Sequence, residues 1–208
     1  MPSLFTCALI AEDVYHDRPT VVGEHVPVRV PDGEHYCRGN EFAGLAYAGR
    51  DAVGVIAFRG SREMEDWKGA NLEILRRKVP VDQFGCAMAY FAAAHRALER
   101  AGCGRYLVVG HSLGGGLAAL VAATASWVPV RGVTFNAPGL AQFLNEGPSS
   151  DLKRPNSDNV FNFRAARDIV SRWGYQIGRV YDVTGASGHG IRSLAATLEA
   201  VELGAWEL

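Results

Sequence analysis

The sequence predicts an α/β fold in which a mainly parallel β-sheet, led by an antiparallel hairpin, carries helices on both faces. Strand and helix patterns alternate from the middle of the chain onward, as in parallel strands joined by helical crossovers. Two apolar runs around Gly49-Arg50-Asp51 come before them and predict the hairpin. The chain has 208 residues, 48% of them hydrophobic, so we expect residues 1–208 to form a single domain, a three-layer α/β sandwich.

The first predicted elements follow from the spacing of apolar residues. The hairpin occupies residues 42–60. Apolar residues then recur at helical spacing over residues 82–101, with Asp82 as the expected N-cap and Gly102 just beyond the helix. His95 lies on the apolar side of this helix, where we expect a packed histidine.

The later elements alternate. The sequence predicts a strand over 106–109, a helix from 113 to about 126, a strand ending at 136 and a short helix within 139–147. Strands over 159–166 and 179–185 and a closing helix from 193 complete the fold. Residues 145–159 are rich in Pro, Ser and Asn and predict a surface loop.

Charge and cysteine content exclude several classes of protein. The net charge of −1 gives no overall field for nucleic acid, so no nucleic-acid partner is expected. The four cysteines are scattered, with no CxxC pair and no histidine at metal-ligand spacing. We therefore expect reduced, packed thiols and neither a metal nor an organic cofactor, and one structural disulfide stays open as an alternative. The cysteines are Cys7, Cys37, Cys86 and Cys103.

The first residues do not resemble a secretion leader. No basic segment precedes the first apolar run, and Glu12 and Asp13 interrupt that run early. No apolar run approaches the roughly 20 residues that span a bilayer. We expect a cytoplasmic protein, or one exported without an N-terminal signal peptide.

A serine stands at a turn crowded with glycine. Gly110-His111-Ser112-Leu113-Gly114 matches G-x-S-x-G and lies directly between a predicted buried strand and a predicted helix. A sharp turn there lifts the serine hydroxyl above the sheet edge and leaves no room for neighbouring side chains. Gly116 stands where a phosphate-binding P-loop needs lysine, which argues against a nucleotide site. A purely structural turn is the alternative.

A serine becomes a nucleophile when a histidine removes its proton and a carboxylate orients that histidine. In sheets with this motif, the acid and then the histidine follow the serine along the chain. Only His189 of the six histidines follows Ser112, and it lies in the glycine-rich stretch 185–190 after the last predicted strand. His189 is therefore the candidate base.

Four aspartates lie between the serine and the histidine. Active-site groups in such sheets project from the carboxyl ends of strands. Asp168 comes directly after a predicted strand and is the candidate acid, although an ion pair with Arg164 or Arg167 is its structural alternative. Asp182 lies inside a strand and is held in reserve, whereas Asp158 precedes its strand and Asp151 falls in the polar loop.

An oxyanion hole needs two N–H donors. The residue after the nucleophile supplies one, here Leu113, and the end of an earlier strand supplies the other. Ser61, in the stretch FRGS, is the candidate for the second donor, and a simple turn or cap role is its alternative.

These motifs together resemble a known family. "AFRGS....DW..AN", "VGHSLGGGLA", "TFNAPG" and "N.R..RDIVS..G" occur in this order and are similar to the class 3 lipase branch of the α/β-hydrolases, especially its small bacterial lipase-like and phospholipase A1-like members. The resemblance implies hydrolysis of acyl-lipid esters, with a triad and an oxyanion hole formed by Ser112, Asp168, His189, Ser61 and Leu113. The same residues would serve an acyltransferase or a thioesterase. A non-catalytic binding or toxin-associated module is the third alternative.

In that family, the lid lies where this chain has residues 61–80. Trp67, Leu72, Ile74 and Leu75 of this charged segment could meet a lipid surface transiently, or the segment could be an ordinary solvated connection. The expected partner is a small-molecule or lipid ester substrate. The sequence gives no oligomeric state.

Overall fold

A computed structural model describes residues 1–16, 18–31, 42–60, 81–144 and 157–200. Within these ranges, seven strands form one sheet whose spatial order is the chain order. The strands are β1 (His25–Val28), β2 (Gly44–Gly49), β3 (Val53–Phe58), β4 (Arg105–His111), β5 (Val130–Phe135), β6 (Val160–Ala166) and β7 (Arg179–Ser187). The α-helices are α1 (Leu4–Asp13), α2 (Val81–Arg100), α3 (Leu113–Thr124) and α4 (Ile191–Ala200). Short 3₁₀ turns lie at Ala141–Leu144, Ser157–Asn159 and Val170–Arg172.

The sheet begins antiparallel and continues parallel. Strands β1, β2 and β3 pair antiparallel, and every later pair from β3 to β7 is parallel. Phe58 of β3 pairs with Gly110 of β4, and His111 of β4 pairs with Phe135 of β5. The carboxyl ends of the central strands therefore meet at one edge. This architecture confirms the predicted α/β sandwich with its leading hairpin.

Helices cover both faces of the sheet, and each face has its own apolar core. Along β4, Tyr106 and Val108 join the core beneath α2 and α3, whereas Leu107 and Val109 join the core beneath α1 and α4. Successive side chains of a strand point to opposite faces, so a strand buried on both sides is apolar throughout. The result is a three-layer arrangement with β4 near its centre.

Helix α3 is apolar on all sides because it is buried on all sides. Its residues from Leu113 to Ala123 are all buried. A Cβ at Gly115 would lie 2.7 Å from Cβ of Ala137, and one at Gly116 would lie 2.6 Å from Cδ1 of Leu140. These two glycines therefore let the first turn of α3 approach the segment that follows β5.

Several element boundaries differ from the sequence prediction. Helix α1 and strand β1 were not predicted from the sequence. Asp82 lies inside α2 and is not its N-cap, because the helix already includes Val81. Helix α3 ends at Thr124, the short helix after β5 is a 3₁₀ turn, and α4 begins at Ile191. Gly102 follows α2 with a φ of 88°, which confirms it as the residue that ends the helix.

The cysteines divide into two kinds. Cys7 and Cys103 are free and buried, as expected for packed thiols, and burial raises the pKa of Cys7 to about 12. Cys86 is disulfide-bonded, so the expectation of reduced thiols is wrong for this residue. No helix in the described ranges combines the length and apolar character that crossing a membrane requires.

Candidate active site

Ser112 lies at a strained turn between β4 and α3. Its φ is 57° and its ψ is −132°, a combination that residues with side chains rarely adopt. The backbone N–H of Ser112 donates to the carbonyl of Phe135 at 3.0 Å, which ties the turn to β5. A Cβ at Gly114 would overlap the carbonyl oxygen of Phe58, and one at Gly110 would overlap the backbone of Gly114. The turn is therefore compatible only with glycine at both flanking positions.

The structure brings the predicted serine, histidine and aspartate into one hydrogen-bonded row. Oγ of Ser112 lies 2.9 Å from Nε2 of His189, and Nδ1 of His189 lies 3.0 Å from Oδ1 of Asp168. An aspartate beside Nδ1 favours the tautomer that carries its proton there, which leaves Nε2 to accept from the serine hydroxyl. Such a row can take a proton from the serine and stabilise the resulting imidazolium.

Asp168 is buried yet stays ionised. Its side chain is 1% exposed, and this burial by itself would raise its pKa. Hydrogen bonds from His189 and Ser171, together with the attraction of His189, outweigh burial and lower the pKa of Asp168 below its ordinary value. The backbone N–H of Val170 donates to Oδ1 at 3.2 Å and that of Ser171 to Oδ2 at 3.0 Å. The 3₁₀ turn after β6 thus fixes the carboxylate.

Two side chains hold the backbone of His189. The His189 carbonyl accepts hydrogen bonds from Nε2 of His111 and from Nδ2 of Asn136, each at 2.8 Å. Asn136 also donates to the carbonyl of Gly188 at 3.2 Å, and its Oδ1 accepts from the N–H of Ala165 at 2.8 Å. Asn136 therefore links the end of β5 to β6 and to the loop that carries the histidine.

His111 is a neutral donor in this network. Burial, followed by the charge of nearby His189, lowers the pKa of His111 to about 3. Its Nε2 donates to the His189 carbonyl, so its Nδ1 is free to accept from the hydroxyl of Tyr15, which lies 3.3 Å away. The Tyr15 oxygen in turn accepts from the N–H of Gly60 at 3.0 Å. We call β3 and the two residues after it the β3 segment. Tyr15 thus connects the end of this segment to the serine turn.

Only part of the predicted oxyanion hole lies in the described part of the chain. Leu113 is the first residue of α3, and an N–H at this helix position has no intrahelical partner. Gly60 packs against the turn, since a Cβ there would lie 3.3 Å from Cβ of Ser112, but its N–H is already given to Tyr15. Ser61, the second predicted donor, and the predicted lid segment 61–80 lie outside the described residues.

The other candidate acids do not join this row. Asp182 lies on β7 with its side chain exposed, where it accepts from Nε of Arg164 at 2.7 Å and lies 3.7 Å from Arg172. Arg164 therefore pairs with Asp182 and not with Asp168. Asp158 belongs to the 3₁₀ turn before β6, and Asp151 lies outside the described residues. Within the described ranges, no cluster of three or more His, Cys, Asp or Glu side chains could hold a metal ion.

Sequence reasoning assigned no role to Tyr15, His111 or Asn136. Asn136 carried one usable signal, because it is a polar residue directly after β5, at the edge where strand ends converge. His111 stood inside the G-x-S-x-G motif but precedes the serine, which excluded it as the base. Tyr15 lies 96 positions before the residue it contacts and carried no local signal.

The sheet, the strained serine turn and the Ser–His–Asp row define an α/β-hydrolase fold. A family model described as a phospholipase-like, Tle-like phospholipase domain matches residues 6–202. The chain belongs to this phospholipase-like family. Its resemblance to class 3 lipases and phospholipases is thereby confirmed at the level of the family.

One curated relative and several solved structures are similar to the chain. The extracellular phospholipase A1 of Serratia liquefaciens is 30% identical over 139 residues, which cover 64% of this chain and 40% of the relative. The match therefore spans about two-fifths of the relative's length.

The solved structures show the fold. The triacylglycerol lipase of Penicillium expansum matches with a TM-score of 0.58 at 15% identity, covering 94% of this chain and 86% of the lipase. A Rhizomucor miehei lipase in a propeptide complex matches with a TM-score of 0.54 at 16% identity, covering 87% of this chain and 67% of the lipase. At such low identity, these matches establish only that the architecture is shared.

Proposed function

We propose that this protein is a serine hydrolase that cleaves carboxylic esters of acyl lipids, of the phospholipase A1 or lipase type, through an acyl-enzyme on Ser112. The observation that carries the proposal is the row from Ser112 Oγ to His189 Nε2 at 2.9 Å and from His189 Nδ1 to Asp168 Oδ1 at 3.0 Å. The family supports lipid esters as the substrate class. The name of the Serratia relative favours a phospholipid among them.

In the first half of the proposed reaction, Ser112 Oγ attacks the ester carbonyl while Nε2 of His189 takes the serine proton. Asp168 accepts the Nδ1 proton in a hydrogen bond and stabilises the imidazolium without taking the proton itself. The N–H of Leu113 and a second donor at Ser61 hold the negative oxygen of the tetrahedral intermediate. His189 then protonates the leaving alcohol, which leaves the acyl group on Ser112.

In the second half, water replaces the alcohol. His189 removes a proton from water, the resulting hydroxide attacks the acyl carbonyl, and His189 returns the proton to Ser112 as the fatty acid leaves. The proposed steps use only the side chains and N–H donors named above and one water molecule. An acyltransferase would follow the same path with a second alcohol in place of water, so the products decide between the two.

The test compares the wild type with Ser112→Ala and with Ser126→Ala. Ser126 is exposed just after the far end of α3, so it is a matched control for loss of a serine hydroxyl. We expect Ser112→Ala to hydrolyse p-nitrophenyl esters and phosphatidylcholine at least about 10⁴-fold more slowly than the wild type. Removing the nucleophilic serine of a serine hydrolase lowers the rate by that order. Ser126→Ala should retain the wild-type rate.

A fluorophosphonate probe adds a readout that does not depend on the choice of substrate. We expect it to label the wild type and Ser126→Ala and to leave Ser112→Ala unlabelled. Equal labelling of all three proteins, or equal hydrolysis rates, would contradict the proposal. Free fatty acid as the main product in the presence of a competing alcohol indicates a hydrolase, whereas a transesterified product indicates an acyltransferase.

A further inference from the structure

The segment between β6 and β7 displays two large apolar side chains to solvent. Tyr175 is 78% exposed and Ile169 is 62% exposed, which makes them the two most exposed large hydrophobic residues in the described part of the chain. Ile169 directly follows Asp168. We call residues 167–176 the rim loop, because it continues from the carboxyl end of β6 at the edge that carries Ser112 and His189.

Hydrogen bonds from the scaffold hold the rim loop in place. The N–H of Gly139 donates to the carbonyl of Trp173 at 2.7 Å, and that of Ala141 to the carbonyl of Tyr175 at 2.9 Å. Nε2 of Gln176 donates to the carbonyl of Ala137 at 2.8 Å. The first two bonds fix the backbone at Trp173 and Tyr175, and the third ties the side chain of Gln176 to the same segment. The exposed apolar side chains therefore belong to an ordered surface at the edge of the sheet that carries the serine.

The charge of the rim loop is positive. The loop carries Arg167 and Arg172, and its only acid is Asp168, which is 1% exposed and bonded to His189. Arg167 is exposed and forms no ion pair with any residue in the described ranges. Arg172 is more than half exposed, although Asp182 lies 3.7 Å away. The exposed surface therefore combines apolar groups with unneutralised guanidinium charge.

We propose that the rim loop is a docking surface for an anionic phospholipid membrane, in which Tyr175 and Ile169 enter the interface and Arg167 contacts lipid phosphates. The inference rests on the proposed lipid substrate and adds the surface and the lipid charge that bring the site to it. Apolar and aromatic side chains partition to the interface, and nearby arginines add attraction to anionic lipids. The rim loop includes Asp168, so docking at this loop brings the edge of the sheet that carries Ser112 against the bilayer.

The test measures vesicle binding in the Ser112→Ala background, so the lipids are not consumed and binding is scored without turnover. Vesicles of phosphatidylcholine alone, or mixed with phosphatidylglycerol, are sedimented with the protein. We expect stronger binding to the mixed vesicles. Tyr175→Ser with Ile169→Ser should weaken binding to both vesicle types about tenfold or more, as loss of two partly inserted apolar side chains predicts. Arg167→Gln should weaken binding only to the mixed vesicles, by about fivefold.

Val26→Ser is the matched control. Val26 is 51% exposed on the edge strand β1, away from the rim loop, and we expect its replacement to leave vesicle binding unchanged. The single variant Tyr175→Ser and the surface variant Arg167→Gln keep the test valid if the double variant does not fold. The proposal would be overturned if the Ser112→Ala parent and the rim-loop variants all bound with the same affinity and if none of them distinguished the two vesicle types. Vesicle binding without fluorophosphonate labelling of the wild type would retain the docking surface and refute the proposed hydrolase, so the two failures are distinct.

Discussion

His189 is held through its backbone as well as through its ring. Nδ1 of the ring meets Asp168 at 3.0 Å, and the carbonyl of the same residue accepts from His111 and Asn136 at 2.8 Å each. A loop histidine without such anchors would sample many positions, and a proton transfer depends on holding the base within a few tenths of an ångström. His111 and Asn136 are therefore placed to position His189, the proposed base.

The neutral state of His111 leads to a prediction about acid stability. Its pKa in the folded protein is about 3, against 6.5 for an unperturbed histidine. Below about pH 6.5, the unfolded chain binds a proton that the folded protein does not. As the pH falls from about 6.5 to about 3, His111 therefore lowers the free energy of unfolding by about 1.4 kcal/mol for each pH unit. Above about pH 6.5, neither state binds the proton and the dependence disappears.

The variant His111→Gln isolates this contribution, since glutamine keeps an N–H donor for the His189 carbonyl and does not titrate. We expect the variant to be less stable than the wild type by about 1–2 kcal/mol at pH 8, because the Tyr15 hydroxyl loses its well-placed acceptor. The two stabilities should converge as the pH falls below about 6.5. Urea denaturation across this range measures both curves, and parallel curves would contradict the assignment.

At the scale of an element, the turn from β4 into α3 depends on backbone segments that lie so close together that no side chain fits between them. A Cβ at Gly114 would overlap the carbonyl oxygen of Phe58 and lie 2.8 Å from the nitrogen of Gly60. The same glycine thus allows the start of α3 to press against the end of β3. This approach places the first N–H groups of the helix beside the β3 segment, where the oxyanion hole is predicted.

Gly114→Ala is therefore predicted to destabilise the protein by about 1–3 kcal/mol, as overpacking against backbone does, and to lower ester hydrolysis as the β3 segment is displaced. Gly85→Ala is the matched control in α2, since a Cβ at Gly85 meets nothing within 4 Å. That control should stabilise the protein by about 0.5–1 kcal/mol, because alanine replaces glycine within a helix. Chemical denaturation measures both values, and a Gly114→Ala protein as stable as the wild type would exclude the clash.

Two elements escaped prediction for identifiable physical reasons. Helix α1 reads as a nearly continuous apolar run, because Leu4, Cys7, Ala8, Ile10 and Ala11 are all buried, so its sequence lacks a polar stripe that would mark a helix. Strand β1 contains proline, which has no N–H to donate to a neighbouring strand and therefore argues against a strand in the sequence. β1 is in fact an edge strand, and an edge is one of the places in a sheet where proline is tolerated.

At the scale of the whole molecule, the order of strands explains why the serine, the acid and the histidine could be proposed from sequence. The parallel register puts the ends of β4 and β6 and the loop after β7 at one edge, so chain order and strand ends were sufficient to select Ser112, Asp168 and His189. Tyr15 and Asn136 reach the same place through contacts 96 and 53 positions apart. The contact of Tyr15 depends on packing between layers and leaves no local pattern, whereas Asn136 is marked only by its place directly after β5.

Tyr15 shows how the N-terminal segment reaches the site from outside the central sheet. It follows α1, whose Asp13 accepts a hydrogen bond from the buried hydroxyl of Tyr47 on β2 and two more from Thr20. These bonds anchor the segment, and the Tyr15 hydroxyl then joins the N–H of Gly60 to the ring of His111. One hydroxyl therefore fixes the distance between the β3 segment and the serine turn.

We predict that Tyr15→Phe lowers kcat for ester hydrolysis about tenfold with little change in KM, which is the effect of losing one hydrogen bond that positions reacting groups. Tyr106→Phe is the matched control, because its buried hydroxyl donates to the carbonyl of Cys103 at 2.7 Å, at the opposite edge of the sheet. Both variants should lose about 1 kcal/mol of stability, but only Tyr15→Phe should lose turnover. If both variants lose stability equally and keep wild-type kcat, the hydroxyl of Tyr15 contributes only to folding. A loss of kcat confined to Tyr15→Phe would instead show that the Tyr15 hydroxyl helps to set the geometry of the proposed active site.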